Sequence, residues 1–522
     1  MIREISRRKC LRLWLCKPEY MGRTKWENRF VLLRFRKKNY MMFLKDLKRF
    51  KMERLYDKLK AYSESDFYAF HMPGHKRNKA LLGIELPYDL DITEIDGFDD
   101  LHHADGILKE EQERAARVFG AEESHFLVNG STAGILSAVM GCTHRGDKIL
   151  VARHCHKSIY HAIYMNGLAP RYVYPEFDIS MHMNGEISKE DVAKALAAEP
   201  DIKAVVIVSP NYDGVVSDVK GIAEVAHSYR IPLIVDEAHG PHFGFHPAFP
   251  GRANDLGADV VINSLHKTLP SLTQTAILHI NGKIVNRRKI KKYLDMLQSS
   301  SPSYIFMASL DACVDFVDGK CENAFELYVE RLQKFREELK PLQHLQILRT
   351  EHYDISKVVI STANANITSP ELADRLRKEY HLEMEMTGGT YVLAMTTVAD
   401  TQEGLDRLKA ALLEIDGQLE AKTAVSGSTE ISGELPRLEQ YFTPQEAADR
   451  EEDGEAEEIP WKESEGHISL EYAYLYPPGS PVIVPGERIS REAVELLCYY
   501  ETQNLQIEGI QTEGKIKVWK HE

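Results

Sequence analysis

Two short stretches and one turn carry side chains whose types and order could support covalent chemistry. Lys267 lies in "NSLHKTLPSLTQTA", directly after the apolar run "GADVVINS", and Asp236 ends the apolar run "LIVD". Ser131 and Thr132 lie in the turn "VNGSTAG". A buried lysine can act as a nucleophile, a carboxylate can hold a cationic group, and a small-residue turn at a helix N-terminus can bind a phosphate. Each feature alone is weak evidence, since serines also cap helices and most lysines after a strand do no chemistry.

Taken together in chain order, these features are the set of groups that a pyridoxal 5'-phosphate (PLP) site requires. A carboxylate at the position of Asp236 can keep a pyridine nitrogen protonated, which makes the ring an electron sink. Lys267 can form a Schiff base if its surroundings lower its pKa. Ser264 and His266, beside the lysine, can donate to a phosphate. The turn does not match GxxxxGK[ST], which disfavours a nucleotide-binding P-loop.

The sequence around these residues predicts alternating strands and helices. Short runs rich in valine and isoleucine, such as "AVVIVSPNYDG" and "ADVVINSLHK", are separated by helical stretches such as "VKGIAEVAHSYR". This order predicts an α/β fold with a mostly parallel sheet sandwiched by helices. Ligands of such sheets bind at the carboxyl ends of the strands, where Ser131, His156, Asn211, Asp236 and Lys267 fall.

The chain divides into five predicted segments. A basic stretch at residues 1–50 is predicted to be disordered or to precede the true start. Residues 51–320 form the large domain, with an N-terminal segment, and 321–418 form a small α+β domain. Residues 419–436 are polar and lack periodicity, as expected of a linker. Residues 437–522 form a C-terminal α+β domain.

Composition excludes several classes of protein. The net charge of -14 argues against nucleic acid as the main partner, because phosphate binding needs a basic face. Seven dispersed cysteines with no CxxC pair indicate the reducing cytoplasm. No apolar run is long enough to span a bilayer, so no membrane is expected. The acidic and histidine residues after the Asp236 strand match no metal motif, and no metal is predicted.

The sequence resembles the Orn/Lys/Arg decarboxylase family of PLP enzymes. The resemblance rests on motifs spread from about residue 70 to 490: "FHMPGHKRN", "DITEIDGFDDLH", "NGSTAGI", "HCHKSIYHA", "SPNYDG", "VDEAHGPHF", "SLHKTLPSLTQTA", "SSSPSYIFMASLD" and "YPPGSPVIVPGE". It implies the fold-type I, aspartate-aminotransferase-like architecture. It also implies a compact form, because too few residues precede "PGHK" for the extra N-terminal wing domain of the large enzymes.

The resemblance implies a role for each matching residue. Lys267 would be the Schiff-base lysine and Asp236 the partner of the pyridine nitrogen. His156 would stack on the cofactor ring, and His239 would lie near its phenolic oxygen. The residues that would hold the phosphate are Ser131, Thr132, Ser264 and His266. Pro270 stands where several relatives carry a small residue, which could reshape the loop after the lysine.

The implied reaction is decarboxylation of a basic amino acid to give CO2 and an amine of the polyamine pathway. Arginine is the first choice of substrate, then lysine, then ornithine. Glu94 and Asp96 are the candidate carboxylates for the cationic side chain. The general acid is left open between His156 and Lys267. "SSSPSY" resembles a stretch that reaches a phosphate across a homodimer interface, which makes Ser300 or Ser301 a candidate acting in trans. An aminotransferase or lyase of the same fold, and a non-catalytic regulatory homologue, are the alternatives.

Overall fold

The computed structural model describes residues 54–179, 181–421, 434–475, 479–502, 505 and 507–520. The predicted basic extension at 1–50 and most of the predicted linker at 419–436 lie outside these residues. None of the described helices is both long and apolar enough to cross a bilayer.

A seven-stranded sheet forms the centre of the fold, in the spatial order β1-β9-β8-β7-β6-β2-β3. Its strands, with the separate hairpin β4–β5, are β1 Glu123–Leu127, β2 Lys148–Ala152, β3 Ala169–Val173, β4 Phe177–Asp178, β5 Met183–Asn184, β6 Val205–Val208, β7 Leu233–Asp236, β8 Val260–Asn263 and β9 Ala276–Ile280. Strands β6, β7 and β8 are buried at every residue, as expected of parallel strands covered on both faces.

Strand β9 has no counterpart among the predicted strands. It runs antiparallel to both of its neighbours, β1 and β8, while the other neighbouring pairs are parallel. Since β9 alone is reversed, β1 points the same way as β6, β7 and β8. The mostly parallel sheet of the prediction is confirmed, and the carboxyl ends of these strands meet at one edge.

Helices cover both faces of this sheet. They are α1 Leu55–Ser63, α2 Ile107–Val118, α3 Gly130–Cys142, α4 Lys157–Met165, α5 Lys189–Ala198, α6 Val219–Ser228, α7 Leu265–Thr268, α8 Arg287–Leu297, α9 Tyr304–Val317 and α10 Glu322–Glu338. Helix α3 is mostly buried because it packs between the sheet and α8. At Gly141 an added Cβ would lie 2.5 Å from Ile290 Cγ1, so this close approach requires glycine.

The next part of the chain builds a smaller α+β unit. Its four-stranded antiparallel sheet has the order β10-β11-β13-β12, and two helices pack on it. The elements are β10 Gln346–Ile347, β11 Lys357–Ser361, α11 Ser369–Tyr380, β12 Met386–Thr387, β13 Tyr391–Met395 and α12 Gln402–Asp416. Helix α11 begins with a capping box between Thr368 and Glu371, which satisfies its first free amides.

The C-terminal part forms small antiparallel sheets around a separate core that includes Trp461. Its elements are β14 Glu439–Gln440, α13 Pro444–Glu452, β15 Ala456–Pro460, β16 Ala473–Leu475, β17 Pro481–Ile483, β18 Glu487–Arg488, α14 Arg491–Thr502, β19 Ile507–Glu508 and β20 Lys515–Trp519. The predicted domain boundaries stay predictions.

A buried ion pair joins the C-terminal part to the large sheet. Arg153, just after β2, lies 3.0 Å from the carboxylate of Glu487, and both side chains are at most 1% exposed. Arg153 also donates to the carbonyl oxygen of Val482 at 3.0 Å. Two opposite charges buried this completely must stay together, so the pair fixes β17 and β18 beside the large sheet.

Candidate active site

Five side chains meet in one cavity at the carboxyl edge of the large sheet. Ser131 follows β1, His156 follows β2, Tyr212 follows β6, Asp236 ends β7, and Lys267 follows β8. Their convergence follows from the shared direction of these strands. Of the residues predicted from the sequence, the cavity brings together Ser131, His156, Asp236, His239 and Lys267.

Lys267 is held with its amine inside the cavity. Its Nζ lies 2.8 Å from Nε2 of His239 and 6.0 Å from the centre of the Tyr212 ring. Burial lowers the pKa of Lys267, and the charge of Asp236 opposes this shift only in part. A buried lysine with a lowered pKa has more of its free-base form available, which is the form that attacks a carbonyl carbon.

Asp236 is a buried carboxylate that accepts few hydrogen bonds from the residues around it. It is 3% exposed and accepts a hydrogen bond from the Ala238 amide at 3.2 Å. Burial raises its pKa, and the charge of Lys267 opposes the shift. The ionised form of a buried carboxylate with a raised pKa is stabilised by a cationic partner. A protonated pyridine nitrogen is such a partner.

Three histidines line the cavity, and the two that were predicted to contact the cofactor, His156 and His239, are neutral near pH 7. Burial lowers the pKa of His156 to about 4, with a further contribution from the charge of Lys267. Nδ1 of His156 accepts from the Ser158 amide at the start of α4, so the proton of the neutral ring is on Nε2. Burial also lowers the pKa of His239, whose ring lies 4.5 Å from that of Tyr212.

Several buried polar atoms around the cavity have no hydrogen-bond partner among the described residues. They are Oγ of Ser264, Nδ1 of His154 and Nδ1 of His239. Unpartnered buried polar atoms are costly, so their grouping here fits a polar ligand that would satisfy them. Within the described part of the chain, no group of three or more His, Cys, Asp or Glu residues could hold a metal ion.

The backbone of the predicted phosphate turn adopts a left-handed conformation at its glycine. Gly130 has a φ of +71°, and its amide donates to the Gln274 carbonyl oxygen at 3.0 Å. Ser131 of the following turn lines the cavity, whereas Thr132 is exposed. Nδ1 of His266 donates to the Thr275 carbonyl oxygen at 2.8 Å, which leaves Nε2 for any ligand.

Six of the predicted site residues lie outside the cavity lining: Thr132, Ser264 and His266 of the predicted phosphate site, and Ser300, Glu94 and Asp96. Ser300 is exposed in the loop between α8 and α9, and Glu94 and Asp96 are exposed in the segment between α1 and α2. Their roles, in trans for Ser300 and toward the substrate for the carboxylates, stay predictions. The neighbouring Asp99 is structural, since its carboxylate accepts from the backbone amides of Gly106 and Leu108, both at 2.9 Å.

Comparison with known proteins identifies the family. Residues 53–420 match the Orn/Lys/Arg decarboxylase major domain, and residues 430–514 match the Orn/Lys/Arg decarboxylase C-terminal domain. The chain belongs to the Orn/Lys/Arg decarboxylase family. The predicted resemblance is confirmed, and membership implies PLP as the cofactor.

Individual relatives agree with this assignment. An arginine decarboxylase of Bacillus subtilis is 33% identical over 87% of this chain and 95% of its own length. The structure of the Escherichia coli constitutive lysine decarboxylase has a TM-score of 0.77 at 20% identity, covering 96% of this chain and 86% of that one. The fold is also similar to ureidoglycine-glyoxylate aminotransferase of Bacillus subtilis, with a TM-score of 0.50 at 14% identity over 63% of this chain and 88% of that one. The predicted fold-type I architecture is confirmed, and this member of the family is a basic amino-acid decarboxylase.

A buried polar network supports the cavity of this decarboxylase from the small α+β unit. Lys357 at the start of β11 pairs with Asp354 at 2.9 Å and donates to the His239 carbonyl oxygen at 3.4 Å. Asp354 lies 3.1 Å from Nε2 of His242, whose Nδ1 lies 3.0 Å from Oγ1 of Thr268. Burial alone would raise the pKa of Asp354, but its cationic neighbours hold it well below the usual range. The network therefore fixes the backbone beside both His239 and Lys267.

Three side chains at this decarboxylase site were not predicted from the sequence. Tyr212 and His154 line the cavity, and Ser480, from the C-terminal part, lines it while donating to the His154 carbonyl oxygen at 2.7 Å. The Tyr212 hydroxyl donates to the carboxylate of Glu385, whose charge also acts on Lys267. The quoted motifs "SPNYDG", "HCHKSIYHA" and "YPPGSPVIVPGE" contain or adjoin Tyr212, His154 and Ser480, and were the available signal.

Proposed function

We propose that this chain is a PLP-dependent arginine decarboxylase with Lys267 as the residue that binds the cofactor. The observation that carries the assignment of site residues is the cavity itself, in which Lys267, Asp236 and His239 lie together with unpartnered polar atoms around them. Arginine is preferred because arginine decarboxylases are among the relatives with 30% identity or more.

The side chains would hold PLP through five kinds of contact. Lys267 would bind its aldehyde carbon, and Asp236 would face the pyridine nitrogen. His156 would lie on the ring, and His239 near its phenolic oxygen. The phosphate would be held by Ser131, Ser264, His266 and Thr132, with Ser300 of a second copy.

The chain's own residues then have distinct tasks in the reaction. When bound, PLP supplies an electron sink for the electron pair that is left as CO2 departs. Asp236, ionised beside the ring nitrogen, stabilises that charge distribution electrostatically. The neutral ring of His156 carries a proton on Nε2, and Lys267 carries its own once displaced; either can protonate Cα. The burial of Asp236 and His239 excludes water, which strengthens these interactions.

Glu385 is the carboxylate that this geometry best places to bind a cationic substrate side chain. It is exposed, so it is open to a ligand, and the Tyr212 hydroxyl bonded to it belongs to a residue of the cavity wall. A carboxylate can bind a guanidinium group through two parallel hydrogen bonds. Glu94 and Asp96 remain alternative partners, from a second copy if the chain dimerises.

The test is release of CO2 from arginine, lysine and ornithine by the PLP-loaded chain. We expect arginine to have the highest kcat/KM and Glu385→Gln to lower it about tenfold to a hundredfold, mainly through KM. Glu383→Gln, an exposed neighbour on the same segment, is the matched control and should leave kcat/KM unchanged. Transamination that depends on a keto acid, with no CO2 release, would overturn the decarboxylase assignment. Lysine preferred over arginine would overturn the substrate.

We further propose a homodimer with the site at its interface, in a reducing cytoplasm. The exposed position of Ser300 leaves it free to reach a second copy, and Cys142, Cys155, Cys313, Cys321 and Cys498 are all free thiols. Sedimentation of the PLP-loaded chain should give a dimer, and Ser300→Ala should weaken PLP binding without altering the dimer. A monomer with full activity would contradict this arrangement.

A further inference from the structure

A second cavity adjoins the cofactor cavity. It has a volume of about 120 Å³ and lies between the hairpin β4–β5, the β12–β13 turn and the C-terminal part. Ser480 lines both cavities, and Tyr212 of the first is followed in the chain by Asp213 of the second. A cavity of this size holds several water molecules or one small organic molecule.

The wall of this cavity contains a buried carboxylate that lacks a cationic partner. Asp213 is 7% exposed, and the Tyr391 hydroxyl donates to its Oδ1 at 2.5 Å. Among the described residues, no lysine, arginine or histidine pairs with Asp213 or acts on its charge. Burial raises the pKa of Asp213 to about 6. A buried carboxylate is ordinarily paired, because leaving it alone costs free energy.

The other groups in the wall also favour a cation. The aromatic side chains of Phe177, Tyr499 and Tyr500 line the cavity and can present ring faces to a positive charge. Oγ1 of Thr390 is buried without a hydrogen-bond partner in the described structure, so it can accept from an ammonium or guanidinium group. The other titratable groups of the lining are His182 and the tyrosines.

We propose that this cavity is a second ligand site, for a small organic cation of the amine or guanidinium type, with Asp213 as its charge partner. The site lies beside the one that binds the cofactor and is not used by the decarboxylation itself. Its occupant would contact the residue next to Tyr212, whose ring lies against His239. Binding there therefore acts on the surroundings of Lys267 without touching the cofactor.

The test is calorimetric titration of the PLP-loaded full chain with 1,4-diaminobutane. The wild type should show two binding events per chain, one at the active site and one at Asp213, and Asp213→Asn should show only the first. The amide keeps the size of the side chain and still accepts from Tyr391, so the fold is retained. Loss of the second event from the titration of Asp213→Asn corresponds to a fall in affinity of at least about tenfold, as expected for loss of a charged partner. Asp400→Asn, a half-buried carboxylate outside this cavity, should retain both events.

Each other outcome decides against the proposal. It fails if the wild type and Asp213→Asn show the same number of events, or if neutral 1,4-butanediol binds as tightly as the diamine. It also fails if Asp213→Asn lowers kcat/KM for arginine about tenfold while both events persist, since Asp213 would then belong to the substrate site. Failure of the decarboxylase assignment is distinguishable, because the active-site event would be lost from both proteins while the Asp213-dependent event remained.

Discussion

Lys357 and Lys267 both lie close to His239, and their surroundings differ. Lys357 pairs with the carboxylate of Asp354 at 2.9 Å, donates to the backbone carbonyl of His239, and is completely buried. Lys267 meets the ring of His239 instead, and its amine faces a cavity with no carboxylate in hydrogen-bond contact among the described residues.

The difference supports the proposed roles of the two lysines, one structural and one chemical. At Lys357 a close carboxylate completes a buried ion pair, and this suits a structural role. Without such a partner, burial lowers the pKa of Lys267. The same residue type is thus suited to a structural role at Lys357 and to chemistry at Lys267, according to the partner that the fold supplies.

The largest effect is expected at Lys267. Lys267→Ala should lower kcat at least about a thousandfold, or ~4 kcal/mol in activation free energy, because the covalent attachment of PLP is lost. The visible absorbance band of the bound cofactor should be lost at the same time. Lys148→Ala, a surface lysine paired with Glu199, is the control and should keep both. An unchanged band would mean that another residue binds the cofactor.

Lys357→Met should cost stability instead of removing the chemistry. Removing one member of a buried ion pair typically costs about 3–5 kcal/mol of unfolding free energy, because Asp354 loses a partner in a water-free site. Chemical denaturation should show this loss, and the cofactor band should persist. Lys409→Met, which removes a pair with Glu338 nearer the surface, should cost less than about 1 kcal/mol. Equal losses in the two variants would contradict the structural role of Lys357.

Asp236→Asn tests whether the negative charge near Lys267 contributes to catalysis. The amide has a similar shape but cannot carry the charge that keeps a pyridine nitrogen protonated. We expect kcat to fall about a hundredfold to a thousandfold with little change in stability, since removal of one electrostatic group from an active site typically has this effect. Steady-state kinetics beside a thermal melt would check it. A variant with wild-type kcat would remove Asp236 from the mechanism.

An effect of pH on stability is expected from His154, whose ring lines the cavity. Burial lowers its pKa to about 4, so the folded protein keeps it neutral while the unfolded chain protonates it below its ordinary value of about 6.5. The unfolded state then binds more protons between these values, and stability falls as the pH decreases from about 6.5 to 4. The loss from this residue is about 3 kcal/mol. Unfolding measured at several pH values should be less acid-sensitive in His154→Gln, and an identical slope would contradict the assignment.

The sequence was informative where local pattern decides the structure. The valine- and isoleucine-rich runs of β7 and β8 are recognisable, and a strand's end determines where Asp236 and Lys267 point. Strand β9 was missed because "AILHI" follows a polar loop and is reversed relative to its neighbours, which no local pattern shows.

The missing parts of the site depend on contacts between distant segments. Ser480 lies 326 residues after His154, to whose carbonyl oxygen it donates. Lys357 reaches the carbonyl of His239 from a different sheet. Periodicity and motif spacing carry no information on such pairings. Glu385, next to the strand β12, was not considered because its approach to Tyr212 exists only in the folded chain.

The position of Ser480 has a consequence for how this enzyme is made. The cofactor cavity is walled in part by a residue that leaves the ribosome more than two hundred residues after Lys267. During synthesis, Lys267 and Asp236 are therefore present for some time before the cavity wall is complete. Stable binding of the cofactor is then expected only after the chain has been synthesised beyond Ser480. A truncated chain that lacks this residue would therefore bind the cofactor poorly.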